Sequence, residues 1–226
     1  MCGYFEFDHD AFSAKSMLKV PALSSLSGQF RLNSGSGPAS SVDMIIQREG
    51  EVTVAPAIWW LLLDRETLKP SRYTSFNTRS DKLHVRNSAG FHPYRNHRCI
   101  VPATGIVEGE GAKGNRRYHL IEPENTAFAL GGLYKEWLNP ETGEHAYSCS
   151  VITLPPHPKW QGIHSKSTPL FLPHDDSELI EKWLDPECDD VSQFEGVLKP
   201  ELRDTLRVTP VDRPSSRVAV GDPFTV

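Results

Sequence analysis

The chain has 226 residues, of which 38% are hydrophobic and 23% charged, and its formal net charge is −5. That is enough apolar material for one substantial core, and it excludes both a disordered chain and a disulfide-stapled miniprotein. No run of about 18 apolar residues occurs, and the start lacks a basic region followed by an apolar one, so a soluble cytoplasmic protein with no membrane insertion is expected.

The sequence begins Met1-Cys2-Gly3. Removal of Met1, which the small side chain of Cys2 permits, leaves a residue carrying both a thiol and an α-amine. Their reference pKa values, about 8.5 and about 7.7 to 8.0, leave each partly in its reactive form near neutrality. Amine and thiol on one residue can close on an aldehyde, first as a Schiff base and then as a thiazolidine ring, which an internal cysteine cannot do. Taken alone, a cysteine at position 2 has the plainer reading of a residue that merely follows the start.

A helix is predicted over Phe12 to Leu18, and the Ser/Gly-rich stretch Ser34 to Ser41 reads as a flexible loop. Strand signals follow at Glu51 to Ala57, running on through the apolar Ile58 to Leu63, then at Cys99 to Glu108, Tyr118 to Glu122, Ala127 to Tyr134 and Tyr147 to Leu154. Gly, Pro and Asn separate them, which suggests a curved, barrel-like sheet. A second helix is expected over Asp175 to Leu184, with Asp175 or Asp176 as N-cap and Pro186 as the stop, and a third over Pro200 to Leu206. No internal repeat occurs, and the length suits one large domain or a domain with an appendage.

Charge is distributed unevenly. From Arg65 to His119 eleven basic residues face four acidic ones, a balance of +7, whereas His174 to Asp204 carries −8. The basic segment interleaves Tyr73, Phe76, Phe91 and Tyr94, a composition that can hold a phosphate backbone and stack bases; a solvated charged face is the plainer account. Cys99, Cys149 and Cys188 form no CxxC pair and there is no HExxH, so no metal site is expected.

Three internal segments carry candidate chemistry. Asn77 and Arg79 lie two residues apart, so in an extended strand both side chains leave the same face: a guanidinium able to grip a phosphate beside an amide able to hold a reacting group. Glu108 ends the apolar run Cys99 to Val107, a setting that, if it buries the carboxyl, disfavours ionisation and suits a general acid and base; a strand-end glutamate facing solvent is the plainer account. His164 sits in a turn-like segment before the apolar Leu170 to Leu172, where a structural histidine is the plainer account.

Together these segments resemble the SOS response-associated peptidase family (SRAP, also DUF159), whose members start Met-Cys-Gly and act on abasic sites in single-stranded DNA. Cys2-Gly3 resembles the family's N-terminus, Asn77 to Asp81 its Asn-Ala-Arg-x-Glu segment, Arg98 to Gly109 its RC-x-VPA-x-G-x-x-EW segment, and Ile163 to Leu172 its His-x-Arg-Met-Pro segment. The resemblance implies that residues 1–226 form one compact α+β domain around a barrel-like, mostly antiparallel core, with an acidic helical portion at about 174–206 packed on it, needing no metal or organic cofactor. Residue by residue it implies that Cys2 captures the ring-opened aldehyde as a thiazolidine crosslink, shielding the lesion. Glu108 would shuttle protons, His164 would assist ring opening, and Asn77 would position Cys2 or the adduct. Arg79, Trp59, Lys166, Tyr4 and Asn33 would contact DNA.

Departures fall on gripping positions: Tyr4 and Lys166 stand where the family usually has Arg, and Gly109 where it usually has Trp. The stretch Trp60 to Arg65 loses a second aromatic. Because stacking contributes roughly 1 to 3 kcal/mol per base and Lys lacks the guanidinium fork, a weaker or differently shaped DNA grip is expected. Two other readings stay open: a cysteine peptidase or amidase in which His164 activates Cys2, and a non-enzymatic single-stranded DNA-binding module.

Overall fold

The structure, a computed structural model, describes residues 3–8, 23, 26, 29–31, 33–112, 114–173 and 175–226, with the backbone alone at 33 and 34. Its strands are β1 (Phe5–Phe7), β2 (Asn33–Ser36), β3 (Ser41–Arg48), β4 (Glu51–Ile58), β5 (Asn77–Arg79), β6 (Arg98–Ala103), β7 (Gly105–Glu110), β8 (Arg117–Pro123), β9 (Phe128–Leu138), β10 (His145–Leu154), β11 (Thr168–Pro169), β12 (Leu206–Val211) and β13 (Phe224–Thr225). Among the described residues, the α-helices with defined bounds are a single turn, α1 (Pro93–Asn96), and α2 (Ser177–Leu184).

The expected curved core is a closed mixed barrel in the order β10-β4-β3-β6-β9, shut by a ladder from Val151↔Gly132 to His145↔Leu138. Its one parallel step within the ring is the single contact Ser148↔Ile58. A second sheet, β13-β12-β8-β7-β1-β2, lies outside that ring. Side chains alternate across a strand, so each barrel strand feeds two cores. In β3, Val42, Met44 and Ile46 join a cluster with Phe5, Ile106 and Val208 of the second sheet, while Ile45 joins one containing Ile180 and Trp183 of α2. The strands are therefore apolar on both faces, which explains why β9 and β10 read as continuous apolar runs.

Where sequence and structure differ, tertiary pairing has overridden local signals. The expected strand Cys99 to Glu108 breaks at Thr104, which carries the chain from barrel into second sheet. Its N–H donates to Glu6 O at 2.9 Å and its Oγ1 accepts from Asp8 N at 2.9 Å, fastening the corner to β1. Of the expected loop Ser34 to Ser41, the first part is β2, paired through Phe5↔Ser36. Pro200 to Leu206 is not helical; Leu206 opens β12, which pairs residue by residue with β8, as alternating Leu206 and Val208 require. The helix expected from Asp175 begins at Ser177, where Asp176 caps it by accepting from Leu179 N at 3.0 Å. The predicted helix Phe12 to Leu18 lies outside the described residues. Among the described residues no helix is long and apolar enough to cross a membrane.

Arg98, counted in the basic segment, does not face solvent. It is 2% exposed and donates at 2.6 to 2.9 Å to the carbonyls of Tyr94, Trp183, Asp185 and Cys188. The guanidinium also lies 4.8 Å over the Phe194 ring, so it binds both helices and the turn after α2 to β6.

Candidate functional site

The site forms where β7 runs between β1 and β8 and meets the loop after β10. Val107 N donates to Tyr4 O at 2.8 Å, holding the start of the chain beside β7. A cleft of about 280 Å³ results, lined among others by Gly3, Tyr4, Phe76, Glu108, Arg116, Tyr118, His164 and Lys166.

Glu108 lies at its base, 1% exposed. Burial raises its pKa to about 7. His164 Nδ1 lies 2.9 Å from Gly109 O and 3.6 Å from Glu108 Oε2. A carbonyl can only accept, so Nδ1 carries the hydrogen and Nε2 the lone pair, the latter 3.5 Å from Ser167 Oγ. Burial lowers the His164 pKa, keeping the imidazole neutral. A carboxyl poised between its two states thus stands beside a neutral imidazole of defined tautomer, a pair suited to passing protons near neutral pH.

Two features of the cleft lie outside the sequence expectations. Glu110, two residues beyond Glu108, accepts from Ser165 N at 2.6 Å and Ser165 Oγ at 2.9 Å; the Ser165 backbone bond holds its pKa below the usual range. The loop is fixed from below by Trp160, fully buried, whose carbonyl accepts from His164 N at 2.9 Å. The spacing Glu108-x-Glu110 was the available signal, since alternate strand residues share a face. Tyr118 is the second feature. A Cβ built on Gly109 would sit 2.9 Å from its ring Cε1, so glycine at 109 is what lets this aromatic lie against β7.

The remaining expected residues are placed as follows. Asn77 and Arg79 share β5, which runs parallel to β10 through Val151↔Asn77 and Thr153↔Arg79. Asn77 follows Phe76, which lines the cleft. Arg79 is exposed, and its fork is occupied by Asp81 at 2.9 and 2.7 Å, which raises its pKa. Tyr4 and Lys166 line the cleft. Asn33 lies on β2 with its backbone opposite Phe7. Cys2 lies outside the described residues, and its neighbour Gly3 is on the cleft wall.

Trp59 requires a correction. It is fully buried, packed on Phe5 at 4.5 Å and Phe76 at 5.8 Å between ring centroids. A ring with no free face cannot stack on a base; instead its Nε1 donates to Phe76 O at 2.8 Å and fixes that cleft-lining residue. Among the described residues no three His, Cys, Asp or Glu side chains converge as metal ligands would.

The family model described as SOS response associated peptidase (SRAP) matches residues 1–218. The chain is 24% identical over 214 residues to the Bacillus subtilis abasic site processing protein YoqW, covering 91% of this chain and 90% of that one. It is 26% identical over 188 residues to the Gallus gallus abasic site processing protein HMCES, covering 70% of this chain and 55% of that one. A crystal structure of a Bacteroides thetaiotaomicron protein superposes with a TM-score of 0.66 at 21% identity, over 95% of this chain and 97% of that one.

Proposed function

The chain belongs to the SRAP family, and from that premise we propose that it processes abasic sites in single-stranded DNA by a covalent link through Cys2, formed after Met1 is removed. The observation that carries this reading is the buried Glu108, poised near pH 7 beside the neutral His164 in a cleft whose wall begins at Gly3. The relatives named abasic site processing proteins support it.

The chemistry proceeds in two bond-forming steps. The Cys2 α-amine adds to the aldehyde carbon of the ring-opened sugar, and the carbonyl oxygen departs as water, leaving an imine. The thiolate then adds to the imine carbon, and the nitrogen takes up a proton to complete the thiazolidine. Protonated Glu108 supplies the proton to the departing oxygen. The lone pair on His164 Nε2 accepts the proton released when the sugar ring opens, and transfer through positioned groups of this kind is worth about 10² to 10⁴ in rate. Lys166 and Arg116 supply positive charge for the flanking phosphates, and Tyr118 supplies a face for a base.

Mature protein mixed with a single-stranded oligonucleotide bearing one abasic site is expected to give an adduct that survives denaturation, and Cys2→Ala to give none. No adduct from protein whose free N-terminal Cys2 has been verified by mass spectrometry overturns the reading.

A further inference from the structure

We propose that Arg217, near the far end of the chain, is a positioning residue for the N-terminal nucleophile: it ties Tyr4 to Glu6 and so fixes the start of β1 at the cleft. The inference rests on the reading of Cys2 given above and adds a component to that site.

Arg217 Nη1 donates to Tyr4 Oη at 3.2 Å, its Nε lies 3.0 Å from Glu6 Oε2, and its guanidinium carbon is 5.8 Å from the Tyr4 ring centroid. Nε and Nη1 thereby face protein groups, and the side chain is 21% exposed, unlike a cation offered to a phosphate. The backbone around it is built for this placement. Arg217 has φ of 52°, a left-handed conformation that a branched turn must hold in place. Asp212 organises that turn by accepting from Arg213 N at 2.7 Å and Val218 N at 3.0 Å, and Arg217 N donates to Arg213 O at 3.0 Å. The same turn sets Pro214 on the cleft wall.

Gly35 supplies an independent sign that the contact is specific. Its φ is 133°, and a Cβ there would lie 2.1 Å from Tyr4 Oη and 2.6 Å from Arg217 Nη1. Residues 4, 35 and 217, remote in sequence, close on one point that only glycine leaves open.

The tie matters because β1 is short. It has three residues, and its pairing with β2 shifts register between Phe5 and Phe7. Beyond Phe5, Tyr4 is held by its carbonyl to Val107 N and by Arg217. Consecutive Cα atoms are about 3.8 Å apart, so freedom at Tyr4 passes directly to residue 2. Ring closure needs the amine and then the thiol at bonding approach to one carbon, and a misplacement of about 1 Å can cost on the order of 100-fold in rate.

The test is single-turnover crosslinking of the mature full-length protein to an abasic oligonucleotide over a range of DNA concentrations, with amide exchange followed at residues 3–7. Arg217→Ala is expected to lower the limiting rate by about 10-fold or more while the half-saturating DNA concentration stays within about twofold, and to speed exchange at residues 3–7. Arg217→Lys restores only part of the rate, because one ammonium cannot span both partners. Glu6→Gln keeps side-chain shape and is expected to lower the limiting rate by a smaller factor, which keeps the question decidable if Arg217→Ala does not fold. A raised half-saturating concentration at unchanged limiting rate would mean that Arg217 grips DNA, and it overturns the inference. So does an unchanged rate, or a slower rate with unchanged exchange. No adduct from the wild type overturns the reading of Cys2 itself, whereas a normal wild type with an unaffected Arg217→Ala overturns the positioning role alone.

Discussion

Arg98 and Glu108 lie ten residues apart on consecutive strands, and both are almost completely removed from water, at 2% and 1% exposed. Their surroundings differ in kind. Around Arg98, carbonyls from α1, α2 and the turn after α2 meet the guanidinium donors within hydrogen-bonding distance, so the cation stays charged although burial lowers its pKa. Glu108 has an imidazole nitrogen at 3.6 Å, and burial moves its pKa to about 7, where protonated and ionised forms are nearly balanced. A buried charge saturated by carbonyls is a staple, whereas a buried acid pushed to neutrality is a reagent.

The sharpest way to break this contrast is Arg98→Ala. It strands several buried carbonyls and is expected to cost about 3 to 5 kcal/mol in urea unfolding, with little dependence on pH between 5 and 8. A loss below about 1 kcal/mol would show that the carbonyl cage is not a staple.

Glu108→Gln should act with the opposite sign. The folded protein holds this proton more tightly than the unfolded chain, so the contribution of Glu108 is fully present below pH 4.5 and lost as pH rises through about 7. The amide removes that loss. The variant is expected to match wild type near pH 4 and to exceed it by about 3 kcal/mol at pH 8, while crosslinking slows by about 10² or more. Equal stability of variant and wild type at pH 8 would mean that Glu108 is not destabilised by ionising.

Trp59→Phe tests support of the site at one remove. Losing the donor to Phe76 O and part of a packed ring should cost about 2 kcal/mol in thermal or urea unfolding, with a smaller loss of crosslinking rate. A large increase in half-saturating DNA at unchanged stability would restore Trp59 as a direct contact. Lys166→Ala carries the smallest expected effect: the slope of log affinity against log salt should fall by about 1, leaving the limiting rate unchanged.

Much of the site was legible because its signals are local in sequence. A lone carboxylate ending the run Cys99 to Val107 marks Glu108 as a candidate although its burial is settled only by the fold, and His164 and the Asn77-x-Arg79 pair stand in short segments that resemble one family in the right order. Other features depend on partners distant along the chain. Trp59 and Arg98 have residue types that suit DNA contact as well as packing, and only their neighbours separate the two roles. The halves of Cys99 to Glu108 look continuous, yet Thr104 sends them to different sheets because Glu6 and Asp8 bond to it. Pro200 to Leu206 has local helix character, but the ladder with β8 decides that Leu206 begins a strand.

The order of residues by itself determined the family, the barrel-like core of β-rich segments, a helix up to Leu184 capped by Asp175 or Asp176, and the types of group available for chemistry. Only the tertiary structure decided which groups meet water, which meet carbonyls and which meet each other. It placed Glu108 with His164, laid Tyr118 on Gly109, closed Asp81 on Arg79 and brought Arg217 to Tyr4 from the other end of the chain. The physical reason is that desolvation and hydrogen-bond saturation are set by neighbours in space, and a linear pattern specifies those neighbours only through the packing of the whole chain.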